Sequence, residues 1–463
     1  MSEYVLDWVL DKIELGDVRR SRALAEISWG LVLAGRLSFT DIAAAMLGKA
    51  TAASKHKRVF RFVNNANVDP ADIQRAVSKA VLHEALRRNK ALGPITVPVA
   101  IDWHTYDNGE ICGLRISLIT GSRALPLTWY ETRLTELKGV QTKMEAQAIQ
   151  DLAALRPPHV NWLFLLDCGF HAPEVLDALN VAGFFIVRSQ VNPLVHPQSS
   201  CWLSVRDLPV QISDLVEFGW LTWSSKSPRA VRIVAARMPP AQQRSRRSYP
   251  RKSKQTQPGF CPLLTNLPEE EASALEVLQI YARRFEIEHS FRDIKSVTLG
   301  LGMEYLHLKN VETYSRVMGV VAIAELVLWL CGAEAERLGL TKKYTSSRPK
   351  NGRRVLSLVS LGRLAIGDVR VPIGTLIRRQ LVKAILSAAR TISSTWRQPT
   401  RSRRLHGLAG TKEELRRLRR SCRRRSKHDT KVFEPCHAPA VWRLITSPDE
   451  DSRRGSGAKI TAA

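Results

Sequence analysis

At Ile95 the hydrophobic period of this chain changes from that of helices to that of strands, and the order of the elements beyond that point leaves few folds open. VPVAID, EICGLRISLI and LPLTWYET are apolar, rich in β-branched residues and bounded by Gly, Asn or Pro, which predicts three successive strands joined as antiparallel hairpins. A helix over about 143–155 comes next, then NWLFLLD, whose uninterrupted apolar run is that of a buried parallel strand. Pro173–Ala182 predicts a second helix and Phe184–Val187 a further strand.

Three strands, helix, strand, helix, strand is the order of an α/β fold with the mixed sheet of the ribonuclease H-like architecture. It divides the 463 residues into five parts. Residues 1–90 are helical, with helices expected at Ser21–Ala34 and Asp72–Arg88 around a basic stretch, SKHKRVFRFVNN. Residues 95–190 hold the first part of the sheet. Residues 191–269 form a β-rich insertion with strand-like pieces (CWLSV, GWLTWSS, RAVRIVAARM) and a basic loop, in which Trp202, Trp220 and Trp223 read as a small core. Residues 270–335 return to the sheet domain with a long helix over Leu275–Lys295 and a buried apolar helix over Val317–Ala333. That apolar run is broken by Glu325 and is too short to span a bilayer, so no membrane partner is expected. Residues 336–463 carry scattered helical signals in a C-terminal helical and basic region.

Charge adds a partner. The chain has 70 Lys and Arg against 43 Asp and Glu, a net +27 that points to a polyanion, nucleic acid before an acidic membrane surface. Much of the excess is local: Arg397–Lys431 holds fourteen cations against three acids, and Arg244–Lys254 six against none. Seven cysteines without a CxxC pair or zinc spacing fit a reduced cytoplasmic setting, and MSEYVLDWVLDKIELGD is too acidic for a leader peptide.

The segment YARRFEIEHSFRDIK carries the most chemistry. At ~100° per residue, Tyr281, Arg284, Glu288 and Lys295 share a stripe about 60° wide, flanked by Ile280 and Phe291 on one side and Phe285 and Leu278 on the other. A second polar face, Arg283, Glu286, His289, Ser290 and Asp293, already supplies the side expected to meet solvent. The first stripe is therefore expected to face inward onto charged partners, since burying it otherwise is costly. Asp102 in VAIDW and Asp167 in LLDCGF each end an apolar strand. Singly, such a residue caps a turn or a following helix more often than it binds metal; together with Glu288 they make three carboxylates able to hold two hard cations through oxygen. His104 would share a face with Asp102 only if the strand continues past it, and otherwise reads as a satisfied polar residue.

Tyr281, Arg284, Glu288 and Lys295 have the spacing Y-x2-R-x3-E-x6-K, and on these residues the sequence resembles the DDE transposases of bacterial insertion sequences, specifically the insertion-sequence-four family. LGDVRRSRAL, VFRFVNNANV, FIVRS with Arg188, and LLTNLP extend the likeness over roughly residues 1–335. The resemblance implies a helical DNA-binding domain, a ribonuclease H-like catalytic domain with a β-rich insertion, and a C-terminal dimerisation region. It implies Asp102, Asp167 and Glu288 as catalytic ligands of two Mg2+ or Mn2+ ions, with Arg188, Arg284, Lys295 and Tyr281 at phosphates. Arg188 as a rim ion pair, Lys295 as a helix-terminal cation and Tyr281 as core are the alternatives. An aromatic platform for a flipped base, some twenty residues before the signature tyrosine, would fall on Phe260, which reads equally well as core. The implied function is cut-and-paste transposition in the bacterial nucleoid, by a homodimer acting on terminal inverted repeats and target DNA. The rivals are an inactive or inhibitory DNA-binding relative and a ribonuclease H-like nuclease.

Overall fold

The computed structural model describes residues 2–383 except 87–94, 107–108, 122, 197–201, 238–258, 297–299, 304–305, 309, 346–354 and 382. The two most cationic segments, Arg244–Lys254 and Arg397–Lys431, therefore lie outside the described residues. The described residues form two compact units, one within Met1–Val187 together with those from Gln279 to 383, the other within Arg188–Leu278.

The first unit opens with five helices: α1 (Ser2–Lys12), α2 (Val18–Ala34), α3 (Phe39–Ala45), α4 (Ala52–Val63) and α5 (Pro70–Leu86). Their starts are written in the sequence. Asp17 caps α2 by accepting from the amide of Arg19, Ser38 caps α3 and Thr51 caps α4, while Gly35 ends α2 in the left-handed conformation with φ 62°. The basic stretch expected between two helices is itself a helix, α4, which buries Val59, Phe62 and Val63 and leaves Lys57, Arg58 and Arg61 exposed. A strong apolar stripe outweighed its modest propensity.

Then come β1 (Ile95–Tyr106), β2 (Ile111–Ile119), β3 (Ala124–Arg133), α6 (Gln141–Ala154), β4 (Val160–Leu166), α7 (Pro173–Ala182) and β5 (Gly183–Arg188). The sheet order is β3-β2-β1-β4-β5; β1 to β3 form an antiparallel meander, and β4 and β5 run parallel to β1. This is the ribonuclease H-like mixed sheet that the alternation of elements predicts. Its strands are apolar on both faces because both are covered: β2 is buried along its whole length. Trp103 and Tyr130 turn toward α6, where they donate to Glu145 and Asp151.

The second unit holds β6 (Leu194–His196), β7 (Leu203–Ser204), β8 (Leu215–Trp223), β9 (Arg229–Arg237) and β10 (Phe260–Thr265), ordered β10-β9-β8-β6-β7 and antiparallel at each pairing among β6 to β10. Trp223 is buried, but Trp220 is exposed, against the expectation that all three tryptophans form a core. The register slips between Glu217 and Gly219, so the inward phase set by Val216 and Phe218 passes to Leu221 and Trp223. A bulge of this kind turns every later side chain over, and Trp220 points outward.

The expected long helix over Leu275–Lys295 is two helices, α8 (Ala274–Ala282) and α9 (Phe285–Lys295). At the joint the amides of Arg283, Arg284, Glu286 and Ile287 each bond to the carbonyl three residues back, so the chain tightens there instead of continuing the α-helical ladder. α10 (Val311–Arg337), capped by Asn310, comes next; α11 (Thr341–Tyr344) and α12 (Leu358–Ala365) end the named elements. α10 has 27 residues and is long and apolar enough to cross a membrane, contrary to the length read from its apolar run, yet its most apolar window is wholly buried in the protein. It crosses α12 with backbones in contact: a Cβ on Gly332 would strike the carbonyl of Leu358, and one on Gly362 that of Leu328.

Candidate active site

Asp102 and Asp167 are placed by strand register. β1 and β4 are parallel neighbours with Ile101 opposite Leu166, so the next residue on each, Asp102 and Asp167, stand side by side. Asp102 does not end its strand as expected. β1 runs on to Tyr106, because its antiparallel partner β2 continues to supply backbone bonds after β4 has finished. Asp102 projects from the sheet face opposite to Trp103, the face on which α9 and α10 pack.

Glu288 sits in the first turn of α9, and Arg284 immediately precedes that helix. The guanidinium of Arg284 gathers all three carboxylates: Nη1 donates to Asp102 Oδ2 at 3.0 Å, and Nη2 lies 2.7 Å from Glu288 Oε1 and 3.7 Å from Asp167 Oδ2. Arg284 is 3% exposed, whereas Glu288 and Asp167 keep about a third of their side-chain surface. Burial raises the Asp102 carboxyl to about 6; Arg284 pulls it down, and Asp167 and Glu288 push it up. On Arg284 burial favours the neutral form, but the phenol of Tyr281 and the three carboxylates prevail and hold it firmly charged.

Three oxygen-only anionic donors crowded at a half-open edge fit a hard divalent cation, which would relieve both the burial that mainly raises Asp102 and the smaller repulsion from Asp167 and Glu288. Among the described residues no three His, Cys, Asp or Glu side chains form a ready-made metal cage; at this site Arg284 stands between the carboxylates.

The remaining predicted residues divide between this cluster and the second unit. Tyr281 is buried at the last turn of α8, its carbonyl bonded to the amide of Arg284. Lys295 closes α9 with its ammonium 5.8 Å from the centre of the Tyr106 ring. Arg188 and Phe260 belong to the second unit, where Arg188 Nη2 donates to the Phe260 carbonyl at 3.5 Å. The Phe260 ring is 1% exposed and faces Arg237, whose guanidinium carbon is 5.0 Å from its centre; it is a core side chain as the strand stands. His104 does share the face of Asp102, since β1 continues. Its ring stacks on Phe291 at 4.3 Å and meets the edge of Tyr106 at 4.2 Å, and burial pushes its pKa down, so it is a neutral aromatic filler. The absence of a side chain at Gly113 makes room for it: a Cβ there would come within 2.8 Å of the imidazole.

The second polar face of α9, which helical spacing assigns to solvent, meets protein instead. Glu286 accepts from the amides of Thr120 and Gly121, Ser290 Oγ accepts from the amide of Ala124, and Asp293 pairs with Arg123 at 2.6 Å. The second polar face of α9 is thus bonded to the turn between β2 and β3. Helical spacing shows that a face is polar; it does not show whether water or unpaired backbone meets it.

Fold and site together define a ribonuclease H-like domain carrying an acidic triad at its central strands. Residues 94–313 match the family described as the transposase DDE domain, which supports a DDE transposase. No curated protein matches the sequence. Among solved structures, the cryo-EM structure of the piggyBac transposase synaptic complex with hairpin DNA is similar at 10% sequence identity and a TM-score of 0.37, over 94% of this chain and 83% of that one.

Proposed function

We propose that this chain is a cut-and-paste transposase of the insertion-sequence-four type, which cleaves DNA at the terminal inverted repeats of its element and joins the freed 3′ ends to target DNA. The observation that carries the reading is the in-register placement of Asp102 beside Asp167 with Glu288 brought to the same point from α9. Asp102, Asp167 and Glu288 hold the cations; Arg284, Lys295, Tyr281 and Arg188 bind phosphate oxygens, Arg through a forked donor pair and Lys as a point charge. Two bound Mg2+ or Mn2+ ions supply activation of the attacking hydroxyl and stabilisation of the leaving 3′ oxygen. Residues 1–90 bind the element ends, the cationic segments add phosphate contacts, and two copies act together in the bacterial nucleoid because two ends must be cut and joined. Phe260 stacks on a displaced base only if Arg237 withdraws from its ring.

The test is cleavage of linear DNA carrying the sequences that flank the coding region, in Mg2+, beside a gel shift on the same DNA. Glu288→Gln, Asp102→Asn and Asp167→Asn are expected to bind the DNA and not cut it. Cutting by any of them at the rate of the unmodified protein overturns the assignment.

A further inference from the structure

Taking Asp102, Asp167 and Glu288 as the cation ligands, we infer that Arg284 is a built-in counter-cation that keeps divalent ions out of the site until DNA offers it a phosphate. One guanidinium touches an oxygen of each carboxylate, at 3.0, 2.7 and 3.7 Å, and is itself 3% exposed. It therefore occupies the space between the oxygens that an ion would have to enter. A buried guanidinium needs anionic partners, and three buried or half-buried carboxylates without a cation repel one another. Each accordingly stabilises the other while no DNA is bound.

Two divalent ions and Arg284 cannot share those oxygens, because the guanidinium would then face like charge and lose its own acceptors. A scissile phosphate replaces them with a forked acceptor of the same sign. Arg284 is placed for the exchange: it lies in the tightened joint between α8 and α9, ahead of the helix that fixes Glu288, so its side chain can turn without unwinding α9. Metal and DNA binding are then coupled through one residue, and linkage requires that each tighten the other by the same factor. The consequence is a nuclease site that arms itself only on DNA.

The test titrates Mn2+ into the full chain, following free Mn2+ by its electron paramagnetic resonance, with and without a duplex carrying the flanking sequences. The unmodified protein is expected to bind Mn2+ weakly alone and about tenfold or more tighter with the duplex, a factor corresponding to ~1.4 kcal/mol of coupling. Arg284→Gln is expected to bind Mn2+ about tenfold tighter than the unmodified protein without DNA, and to gain little from the duplex. Arg284→Lys keeps the charge and guards against misfolding of the neutral variant; one ammonium cannot serve three carboxylates with a fork, so it is expected to fall between the two. Equal Mn2+ affinity of the unmodified, Gln and Lys proteins without DNA overturns the counter-cation role. Unchanged affinity on adding Asp102→Asn to Arg284→Gln would instead overturn the carboxylate assignment itself.

Discussion

Glu286 reaches from the first turn of α9 to the turn between β2 and β3, where its Oε2 accepts the amide of Gly121 at 2.9 Å. The adjacent amide of Thr120 donates to the same oxygen at 3.2 Å, and Arg283 braces the other oxygen at 3.2 Å. Glu286 and Glu288 lie about 200° apart around the helix, so fixing one fixes the direction of the other. Burial raises the Glu286 pKa, and Arg283 and the two amides oppose this. Glu286→Ala is expected to slow cleavage about tenfold or more through the rate at saturating DNA, leaving DNA affinity unchanged, since a misplaced ligand costs chemistry before it costs binding. Glu286→Gln retains an acceptor and should recover most of the rate; a variant pair that lost DNA affinity and rate in proportion would show a folding defect.

The upward displacement of Asp102 sets a pH dependence with a definite sign. Its carboxyl, ordinarily ionised well below pH 5, titrates at about 6 in the folded chain. Metal binding requires the ionised form, so Mn2+ affinity and cleavage should fall as pH drops through about 6. Stability moves the other way: between the ordinary carboxylate value and about 6 the folded chain binds more protons than the unfolded one, and it loses stability as pH rises through that window. Asp102→Asn should flatten this part of the stability profile. Cleavage that is level from pH 5 to 8 would remove Asp102 from the titrating site.

Much of this site was legible from residues alone, and the failures have physical reasons. Asp102 and Asp167 after apolar strand runs and the spacing of Arg284 and Glu288 pointed to one cluster, because strand order and helical period are local properties of sequence, although β1 runs on past Asp102 to Tyr106. The break at Arg283–Arg284 was not legible: both residues are good helix formers, and the joint is tightened by tertiary demands. Nor was the burial of Glu286, Ser290 and Asp293, whose partners are backbone amides and an arginine some 165 residues or more away in the chain. The outward turn of Trp220 depends on a bulge at Gly219, whose φ of 68° favours glycine; a glycine inside a strand is the one local mark that could have shown it.

Arg115 and Glu325 form an ion pair of 2.8 Å at 0% and 1% exposure, joining β2 to α10. Arg115 also donates to Ser117 Oγ at 3.0 Å. Burial pushes Glu325 up to about 7, against the pull of Arg115, so the attraction does not fully offset the desolvation. Removing one partner strands the other. Arg115→Met alone is expected to cost about 3–5 kcal/mol of unfolding free energy, and the double change with Glu325→Leu to recover most of it. Urea denaturation of the three variants measures this, and additive losses in the double variant would contradict it.

α4 carries a cationic face suited to phosphates. Its buried edge, Val59, Phe62 and Val63, fixes the helix on the first unit, and its outer face carries Ser54, Lys57, Arg58 and Arg61 within successive turns, with Phe60 54% exposed beside them. Arg58 is already paired with Glu26 and Lys55 donates to the carbonyl of Met46, which leaves Lys57 and Arg61 as the cations of α4 best placed to meet phosphates. Each phosphate neutralised contributes about 0.9 to the slope of log affinity against log salt. Lys57→Ala with Arg61→Ala is therefore expected to reduce that slope by about two and to weaken binding to flanking and random DNA alike, with no change in thermal stability because both side chains are exposed. Phe60→Ala separates the two kinds of contact: an aromatic that touches bases or sugars should lower affinity for the flanking DNA while leaving the salt slope in place. An unchanged slope in the double variant would place the DNA on another surface of the helical domain.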